Sequence, residues 1–312
     1  MDKAFVLGAG LGTRLRPLTH VFPKPLIPVY HRPLITYAFD HLLACGMREF
    51  VVNTHHLPQR YAEAFPDSTY RGAPLTFRHE PILLETAGGI ANIADLVSDA
   101  PFVVYNGDIL TDLPLAPLLE RHQEEGNLVT LVLRSRGPAQ HIAVDPGQRR
   151  VTDIRGKLGT GNLGTHQFTG IYAVSPEFLQ HLEKGKIESV IPIFLKLISA
   201  GAPIGAVVAD EGQWWDLGDQ ATYLKAHQEM HRLGAAFPAY AEERAAPPAA
   251  ISPKARIHPT CQLSGLNVIS EGAVAEAESE LTDCIVWPGA SVDAQSKHQR
   301  EVLVGPVPVA AQ

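Results

Sequence analysis

Short apolar runs alternate with amphipathic segments along the first part of the chain. The run KAFVL (3–7) has the length of a buried strand and leads into glycines, and ITYAFDHLLACG (35–46) has apolar residues at helical spacing before a glycine. This alternation continues to about residue 133 and predicts an α/β sheet with crossover helices. The further predicted strands are EFVVNTH (49–55), PLTFRHE (74–80), APFVVYNGD (100–108) and LVTLVLRS (128–135), and the predicted helices are LPQRYAEAF (57–65), IANIADLVSD (90–99) and LAPLLERHQEEG (115–126).

The pattern changes between residues 140 and 175. Strand-like pieces are separated there by turns rich in Gly, Pro and Asp, which predicts a β-rich insertion with antiparallel pairing. Helix and strand signals then resume, so the fold predicted for residues 1–233 is α/β, with a Rossmann-like mixed sheet and helices on both faces. The later segments are HIAVDP (141–146), RRVTDIRG (149–156) and FTGIYAVS (168–175) as strands, ESVIPIFLKLISAG (188–201) as a helix, PIGAVVAD (203–210) as a strand and ATYLKAHQEMHRL (221–233) as a helix.

A composition shift at residue 234 starts a different kind of sequence. Residues 234–250 are rich in Ala and Pro and are predicted to be a linker. Residues 251–312 then show a six-residue period, which is typical of a left-handed parallel β-helix. About two coils are expected, and KHQREVLVGPVPVAAQ (297–312) falls outside the period. The periodic positions are Ile251, Ile257, Leu263, Ile269, Ala275, Leu281 and Trp287.

Composition and charge narrow the function. The 312 residues carry a net charge of −7, which argues against a dedicated nucleic-acid binder. There is no apolar run of membrane-spanning length and no signal-peptide layout in MDKAFVLGAG, so a cytoplasmic protein with no membrane partner is expected. Three widely spaced cysteines without a C-x-x-C pair suggest neither a disulfide framework nor a zinc ribbon.

Candidate chemistry begins at the loop GAGLGTRLRPLTHVFPKP (8–25). Its glycines let backbone N–H groups approach a phosphate. It contains no Gly-Lys-[Ser/Thr] and no complete G-x-G-x-x-G, so it is neither a P-loop nor a dinucleotide fingerprint. Arg14 follows the glycines and Lys24 stands between Pro23 and Pro25. A rigidly placed ammonium beside a glycine loop favours a polyphosphate ligand.

The same residues carry a family resemblance. L-x-x-G-x-G-T-R-L-x-P-L-T, beginning at Leu7, and P-K-P-L-x-P-V, beginning at Pro23, resemble the signature of the sugar-1-phosphate nucleotidyltransferases. NGD (106–108), FTGIY (168–172) and WWDLGD (214–219) follow in the family's order, and hexapeptide tails are common in that family. The resemblance implies an enzyme that uses an NTP, a sugar 1-phosphate and Mg²⁺ and releases an NDP-sugar and pyrophosphate. The sequence leaves a homo-oligomer open.

The resemblance also implies roles for individual residues. Arg14, Lys24 and Asp108 would be catalytic, and Asp108 and Asp216 would bind Mg²⁺, with Asp219 as a nearby residue that could instead cap a helix. Gly170, Glu188 and Lys157 would contact the sugar phosphate, although Glu188 could equally be a helix-start charge. The nucleotide-binding residues would be Leu7, Gly8, Ala9, Gly10, Gly12, Thr13, Glu85, Thr86, Gly88 and Asn106.

The chain departs from the family pattern in one region. Many relatives have a Glu-Lys-Pro whose lysine holds the sugar phosphate, but this chain reads VTDIRGKLGTG (151–161), where Lys157 or Arg155 could substitute. The pair His55–His56 lacks a third ligand at a useful spacing, so strand-end polar residues are expected there rather than a metal site. Trp214 and Trp215 are expected in the core and pocket wall.

Several substrates and functions remain open. The TAGG sequence within LLETAGGI (83–90) and the predicted β-helix tail resemble the mannose-1-phosphate guanylyltransferases, which are the leading interpretation. A similar loop and the missing Glu-Lys-Pro resemble the N-acetylmuramate-1-phosphate uridylyltransferases, which are the alternative. A catalytically silent NDP-sugar-binding regulator would share the glycine loop, but only an enzyme needs all four charges at positions 14, 24, 108 and 216. An acyltransferase on the β-helix is a weaker hypothesis, because the tail is short and shows no histidine in a catalytic setting.

Overall fold

A computed structural model describes residues 1–240 and 249–305, which form two compact units. The first unit comprises Met1–Gly10 and Tyr37–Trp214, and the second comprises Leu11–Thr36 and the described residues from Trp215 onward. This grouping differs from a boundary at residue 233, because residues 11–36 and 215–233 belong to the unit that contains the tail. Residues 241–248 of the predicted linker and the end of the tail (306–312) lie outside the described residues.

The elements follow the predicted alternation closely in the first 233 residues. The helices are α1 (Ile35–Ala44), α2 (Gln59–Ala64), α3 (Glu85–Asn92), α4 (Ala94–Val97), α5 (Ala116–Glu125), α6 (Val190–Ser199) and α7 (Gln220–Leu233). The strands before the tail are β1 (Lys3–Leu7), β2 (Pro28–Val29), β3 (Arg32–Pro33), β4 (Glu49–Thr54), β5 (Thr69–Tyr70), β6 (Ala73–His79), β7 (Phe102–Asn106), β8 (Ile109–Thr111), β9 (Val129–Arg134), β10 (Gln140–Val144), β11 (Val151–Ile154), β12 (His166–Val174), β13 (Ile204–Val208) and β14 (Trp214–Asp216). The tail contains β15 (Arg256–Ile257), β16 (Gln262–Ser264), β17 (Val268–Ile269), β18 (Val274–Ala275), β19 (Glu280–Thr282), β20 (Ile285–Val286), β21 (Ser291–Val292), β22 (Lys297–Gln299) and β23 (Val302–Leu303).

A ten-stranded mixed sheet forms the centre of the first unit. Its main path runs β11-β10-β12-β7-β1-β4-β6-β5, and β9 joins β12 to β13. The pairs β1/β4, β1/β7, β4/β6 and β9/β13 are parallel, while the insertion strands β10, β11 and β12 pair antiparallel. The predictions of a mixed sheet and of an antiparallel insertion are therefore confirmed.

The register of the parallel strands places a polar strand end on each side of the end of β1. Leu7, at the end of β1, lies between Asn53 of β4 and Asn106 of β7. Apolar side chains of β1, β7, β9 and β12 pack with α3 and α6 in one buried cluster, which fixes this register. Because the carboxyl ends of parallel strands are where open α/β sheets bind ligands, this edge positions the candidate site.

The segment after the first glycines contains no α-helix, and one predicted helix starts earlier than expected. The glycine loop precedes three short 3₁₀ turns, Thr13–Leu15, Leu18–His20 and Lys24–Leu26, because closely spaced prolines interrupt any longer helix there. Helix α3 begins at Glu85, five residues before the predicted start, so the glycines of LLETAGGI lie inside it.

The tail consists of three sets of three parallel strands. In the set β15-β18-β21, Arg256 pairs with Val274 and Val274 with Ser291, 18 and 17 positions further along. The set β16-β19-β22 repeats this spacing, and the set β17-β20-β23 is spaced 17 and 17 positions, so strands continue to Leu303 and a third round of the period is present. The sequence therefore predicted too few coils, and residues 297–303, which were expected outside the period, continue it.

One hexad of the tail is a residue shorter than the others, and this moves Trp287 out of the period. Ile269 pairs with Val286 rather than with residue 287. The buried interior of the tail accordingly contains Ile269, Leu281, Val286 and Val292, but not Trp287. The sequence period failed after Leu281 because a five-residue step from 281 to 286 cannot be distinguished from a six-residue step when positions 286 and 287 are both apolar.

None of the helices within residues 1–240 and 249–305 has the length and apolar character needed to cross a bilayer.

The buried His41 predicts a loss of stability in mild acid. Burial lowers the pKa of His41 to about 4, against 6.5 in an exposed histidine, and its Nδ1 lies 3.2 Å from the Tyr105 hydroxyl. The unfolded chain binds a proton below pH 6.5 while the folded chain does not, so stability present above pH 6.5 is lost as the pH falls towards 4. Replacing His41 with Asn should reduce the loss of unfolding free energy between pH 7 and pH 4.5 by about 2 kcal/mol, measured by urea unfolding. An equal loss in both proteins would contradict this assignment.

Candidate active site

The glycine loop starts at Gly8, whose backbone is held by two buried side chains. A third buried side chain holds one of these two. The Gly8 N–H donates to Asn53 Oδ1 at 2.7 Å, and the Tyr61 hydroxyl donates to the Gly8 carbonyl at 2.8 Å. Asn53 in turn donates to Glu80 Oε1 at 2.8 Å. These contacts use both backbone polar groups of Gly8 and fix where the loop leaves β1.

Asn53, Tyr61 and Glu80 were not singled out from the sequence. Each lies 45 or more positions from Gly8, so no local spacing connects them to the loop. The available signal was the position of Asn53 and Glu80 at the carboxyl ends of the apolar runs EFVVNTH and PLTFRHE.

Asp108 lies two residues after the end of β7, beside the start of the glycine loop. The Gly107 N–H donates to the Leu7 carbonyl at 3.0 Å, which ties the turn of Asp108 to the end of β1. Burial, and then the negative charge of Asp108, raise the pKa of Tyr61 above its ordinary value. The carboxylate therefore acts electrostatically on the residue that holds Gly8.

The second unit brings together three of the charges predicted to be functional. The Lys24 ammonium donates to Asp216 Oδ1 at 2.9 Å, and Arg14 Nη2 lies 3.7 Å from Asp216 Oδ2. The Lys24 side chain is 7% exposed, whereas those of Arg14 and Asp216 are 71% and 43% exposed. A buried ammonium requires a fixed anionic partner, and Asp216 supplies it.

Gly12 shapes the part of the loop that carries these charges. Its φ of 59° is the left-handed conformation that glycine tolerates best. A Cβ at this position would lie 2.8 Å from Thr19 Cγ2 and 3.1 Å from Lys24 Cβ. Any larger residue would therefore press on Lys24 itself.

The start of α3 lies against the segment that contains Glu188. The Ala87 N–H donates to the Glu188 carbonyl at 2.8 Å, and the Val190 N–H donates to Thr86 Oγ1 at 2.8 Å. Gly88 lies directly against the Lys186 carbonyl, so packing alone requires a small residue there. The Glu188 carboxylate accepts a hydrogen bond from Lys186 Nζ at 3.0 Å, one residue before the N-cap of α6, and Glu85 has a positive φ of 60°.

Gly170 and Asn106 are brought together on neighbouring strands. Gly170 has a φ of 84°, and a Cβ there would lie 2.6 Å from Asn106 Nδ2. Trp214 Nε1 donates to the adjacent Thr169 carbonyl at 2.9 Å. Trp215 packs edge-on against Phe237. Both tryptophans thus have packing roles.

The structure leaves Lys157 apart from these contacts. Its side chain is exposed and makes no hydrogen bond or ion pair with any described residue. The turn that carries it is held instead by Asp153, which accepts from the Leu158 N–H at 3.1 Å and from Thr160 Oγ1 at 2.9 Å.

Asp219 and His55 make contacts that fit the structural roles considered for them from the sequence. Asp219 caps α7 in a reciprocal pair with Thr222, whose N–H donates to Asp219 Oδ1 at 2.8 Å. His55 Nδ1 lies 2.7 Å from the Glu80 carbonyl, as expected of a strand-end polar residue. Across residues 1–240 and 249–305, His, Cys, Asp and Glu side chains form no group of three or more that could hold a metal ion.

Carboxylates with open solvent access suit a hard divalent cation. Asp216 keeps 43% of its side chain exposed beside the paired Lys24, and a carboxylate offers more lone-pair positions than these two contacts use. Mg²⁺ takes one or two protein carboxylates and fills its remaining positions with water and phosphate oxygens. The donor type present therefore fits Mg²⁺ bound together with a nucleotide.

The first strand of the mixed sheet ends in a glycine loop, and a carboxylate lies beside it after a neighbouring strand. This arrangement is typical of nucleotide-binding α/β proteins. The family model described as "Nucleotidyl transferase" matches residues 3–232, and the chain belongs to this family. This match confirms the family resemblance and the enzyme class that the sequence motifs predicted.

Curated relatives share this class but differ in substrate. The chain is 31% identical to a UTP--glucose-1-phosphate uridylyltransferase of Synechocystis over 72% of this chain and 62% of that protein, less than two thirds of its length. It is 28% identical to a mannose-1-phosphate guanylyltransferase of Mycobacterium tuberculosis over 93% of this chain and 81% of that protein. It is also 31% identical to an N-acetylmuramate alpha-1-phosphate uridylyltransferase of Neisseria meningitidis over 69% of this chain and 93% of that protein.

Among solved structures, a UDP-glucose pyrophosphorylase from Acinetobacter baumannii superposes with a TM-score of 0.61 at 19% identity, over 76% of this chain and 95% of that one. This likeness supports the fold.

Proposed function

We propose that the protein transfers a nucleotidyl group from an NTP to a sugar 1-phosphate, with GDP-mannose as the leading product. A phosphate oxygen of the sugar 1-phosphate attacks the α-phosphorus of the NTP. The bond from the α-phosphorus to the β-bridging oxygen breaks, and pyrophosphate leaves with that electron pair. The observation that carries the proposal is the buried Lys24, fixed by Asp216 at 2.9 Å in the family's signature segment.

Charge neutralisation is the main task of such a site, since two anions must meet. Backbone N–H groups of Gly10, Gly12 and Thr13 would hold the triphosphate, and the exposed Arg14 would neutralise the departing β- and γ-phosphates. Lys24 would hold the reacting phosphates. Its contact with Asp216 holds the ammonium in place before substrate binds.

We assign the Mg²⁺ ligands to Asp108 and Asp216. Asp108 follows a buried strand at the ligand edge of the sheet, and Asp216 is a partly exposed carboxylate in the motif WWDLGD. Mg²⁺, when bound with the NTP, supplies neutralisation of phosphate charge.

We also propose the remaining contacts on the strength of the family motifs. The nucleotide would meet Leu7, Gly8 and Ala9 in the first loop, and Glu85, Thr86 and Gly88 at the start of α3. Asn106 would complete the nucleotide contacts. The sugar phosphate would meet Gly170, Glu188 and Lys157, of which Lys157 has the least structural support because its side chain is exposed.

A substrate panel tests the function and chooses the product. We expect pyrophosphate release from GTP with mannose 1-phosphate to exceed that from every other pairing of four NTPs with glucose, mannose and N-acetylmuramate 1-phosphates. Coverage of 93% of this chain by the mycobacterial guanylyltransferase supports this choice. Preference for UTP with N-acetylmuramate 1-phosphate would favour the alternative, which 93% coverage of the Neisseria protein supports. Nucleotide binding without turnover of any pairing would identify a silent regulator.

We propose that the tail is a short left-handed parallel β-helix. Three sets of parallel strands spaced 17 or 18 residues apart match coils of three hexads. A crystal structure with a right-handed or uncoiled tail would overturn this assignment.

A further inference from the structure

Trp287 is a tail residue whose side chain contacts residues outside the tail. It is 1% exposed, yet Val286 takes the interior position opposite Ile269. The Trp287 indole Nε1–H donates to the Tyr223 hydroxyl at 3.0 Å, and its ring lies 5.7 Å from that of Phe22 between centroids. Trp287 thus contacts both helix α7 and the segment of the glycine loop just before Lys24.

Tyr223 connects Trp287 to the other side of Lys24 through a second hydrogen bond. Its hydroxyl is fully buried and donates to the Pro28 carbonyl. An indole N–H can only donate and a carbonyl can only accept, so the direction of both hydrogen bonds is fixed: Trp287 to Tyr223, and Tyr223 to Pro28.

His227, one helical turn after Tyr223, holds the adjoining hairpin. The Tyr30 N–H donates to His227 Nε2 at 3.0 Å, so Nδ1 carries the proton and donates to the Tyr223 carbonyl at 2.9 Å. The rings of Tyr30 and His227 stack with centroids 5.3 Å apart. The β2–β3 hairpin therefore rests on the same face of α7 as the Trp287 contact.

These contacts lie on both sides of Lys24. Phe22 is two residues before it and Pro28 is four residues after it, and Lys24–Leu26 is a single 3₁₀ turn between prolines. Such a stiff, short segment moves as one piece when either end shifts. Its position relative to Asp216 is thus set by what holds its two ends.

We infer that Trp287 and Tyr223 are positioning residues for Lys24, through the relay Trp287–Tyr223–Pro28 and the ring contact with Phe22. This inference rests on the proposed function only where it concerns turnover. By this inference the tail helps to position the reacting groups, because the Trp287 side chain holds the segment that carries Lys24.

Conservative variants test the relay without removing an aromatic ring. Tyr223→Phe breaks both hydrogen bonds and should lower kcat by about tenfold, because small displacements of a catalytic group cost far more than its packing does. Trp287→Phe breaks one hydrogen bond and should lower kcat by about threefold. KM for either substrate should change less than about twofold. In a serial relay, the double variant should match Tyr223→Phe rather than reach about thirtyfold.

Val292→Ala is the matched control for tail stability. Val292 is buried inside the tail and makes none of the relay contacts. This variant should lower the melting temperature by at least as much as Trp287→Phe, while its kcat stays within twofold of the parent. A loss of kcat in Val292→Ala equal to that in Tyr223→Phe would overturn the inference.

Amide hydrogen exchange measures the same relay without turnover. Peptides covering residues 22–34 should exchange about tenfold faster in Tyr223→Phe and about threefold faster in Trp287→Phe, and as in the parent protein in Val292→Ala. If the parent turns over no NTP and sugar 1-phosphate pair, the proposed function fails, and faster exchange would still establish the relay as a structural device. Unchanged exchange in both relay variants would overturn the inference whatever the substrate panel shows.

Discussion

Replacing Lys24 with Ala should lower kcat by about 10²-fold or more, while KM for the NTP changes much less. The reason is that charge redistributes as pyrophosphate departs, and a fixed ammonium stabilises that redistribution more than it stabilises the bound substrate. The burial of Lys24 and its 2.9 Å contact with Asp216 strengthen this expectation, because the cation is already placed and needs no reorganisation. Steady-state kinetics with the preferred substrate pair measure both constants.

Two further variants sharpen the test of Lys24. Lys24→Arg should not restore kcat, because a planar guanidinium cannot occupy the position of a compact ammonium in a buried turn between two prolines. Leu11→Ala, in the same loop, removes a 41% exposed side chain without charge and should leave kcat nearly unchanged. A raised KM with near-normal kcat in Lys24→Ala would mean that Lys24 only binds substrate.

Replacing Asp108 or Asp216 with Asn should reduce kcat by about 10²-fold or more and raise the Mg²⁺ concentration needed for half-maximal rate by about tenfold. Each change keeps the shape of the side chain and removes the charge that a hard cation requires. Titration of activity with Mg²⁺ separates a metal ligand from a residue that only supports the fold, since excess metal should partly restore the rate.

Asp219→Asn is the matched control for the carboxylate variants. Asp219 lies three residues after Asp216 and caps α7, and Asn is an equally good N-cap. Its kcat and Mg²⁺ dependence should therefore equal those of the parent. Unchanged Mg²⁺ dependence in both Asp108→Asn and Asp216→Asn would refute the metal assignment.

Local patterns predicted most elements of the first 233 residues and missed what depends on distant partners. Apolar periodicity located β1, β7 and α6 because each signal lies within a few residues. The hydrogen bond from Tyr61 to Gly8 spans 53 positions, and no local pattern carries it. Family motifs supplied the candidate residues, and the structure added the contact between Lys24 and Asp216.

The tail shows a second reason for failure. A repeat count assumes a constant step, and a single shortened hexad broke it at Trp287. Trp287 fitted the six-residue period at that point, but its side chain lies outside the interior of the tail and donates a hydrogen bond to Tyr223. Its size was the available signal, because an indole is too large for positions otherwise filled by aliphatic side chains.

The second unit is built from an early and a late segment of the chain, which affects how it folds during synthesis. The segment Leu11–Thr36 leaves the ribosome early, but the rest of its compact unit begins at Trp215, and the ion pair between Lys24 and Asp216 joins residues 192 positions apart. The part of the loop that carries Arg14 and Lys24 therefore lacks Asp216 until most of the chain has been made, and the closure of so long a loop is slow. A nascent chain interrupted before Trp287 would carry every signature motif and still lack the residue that completes the packing around Phe22.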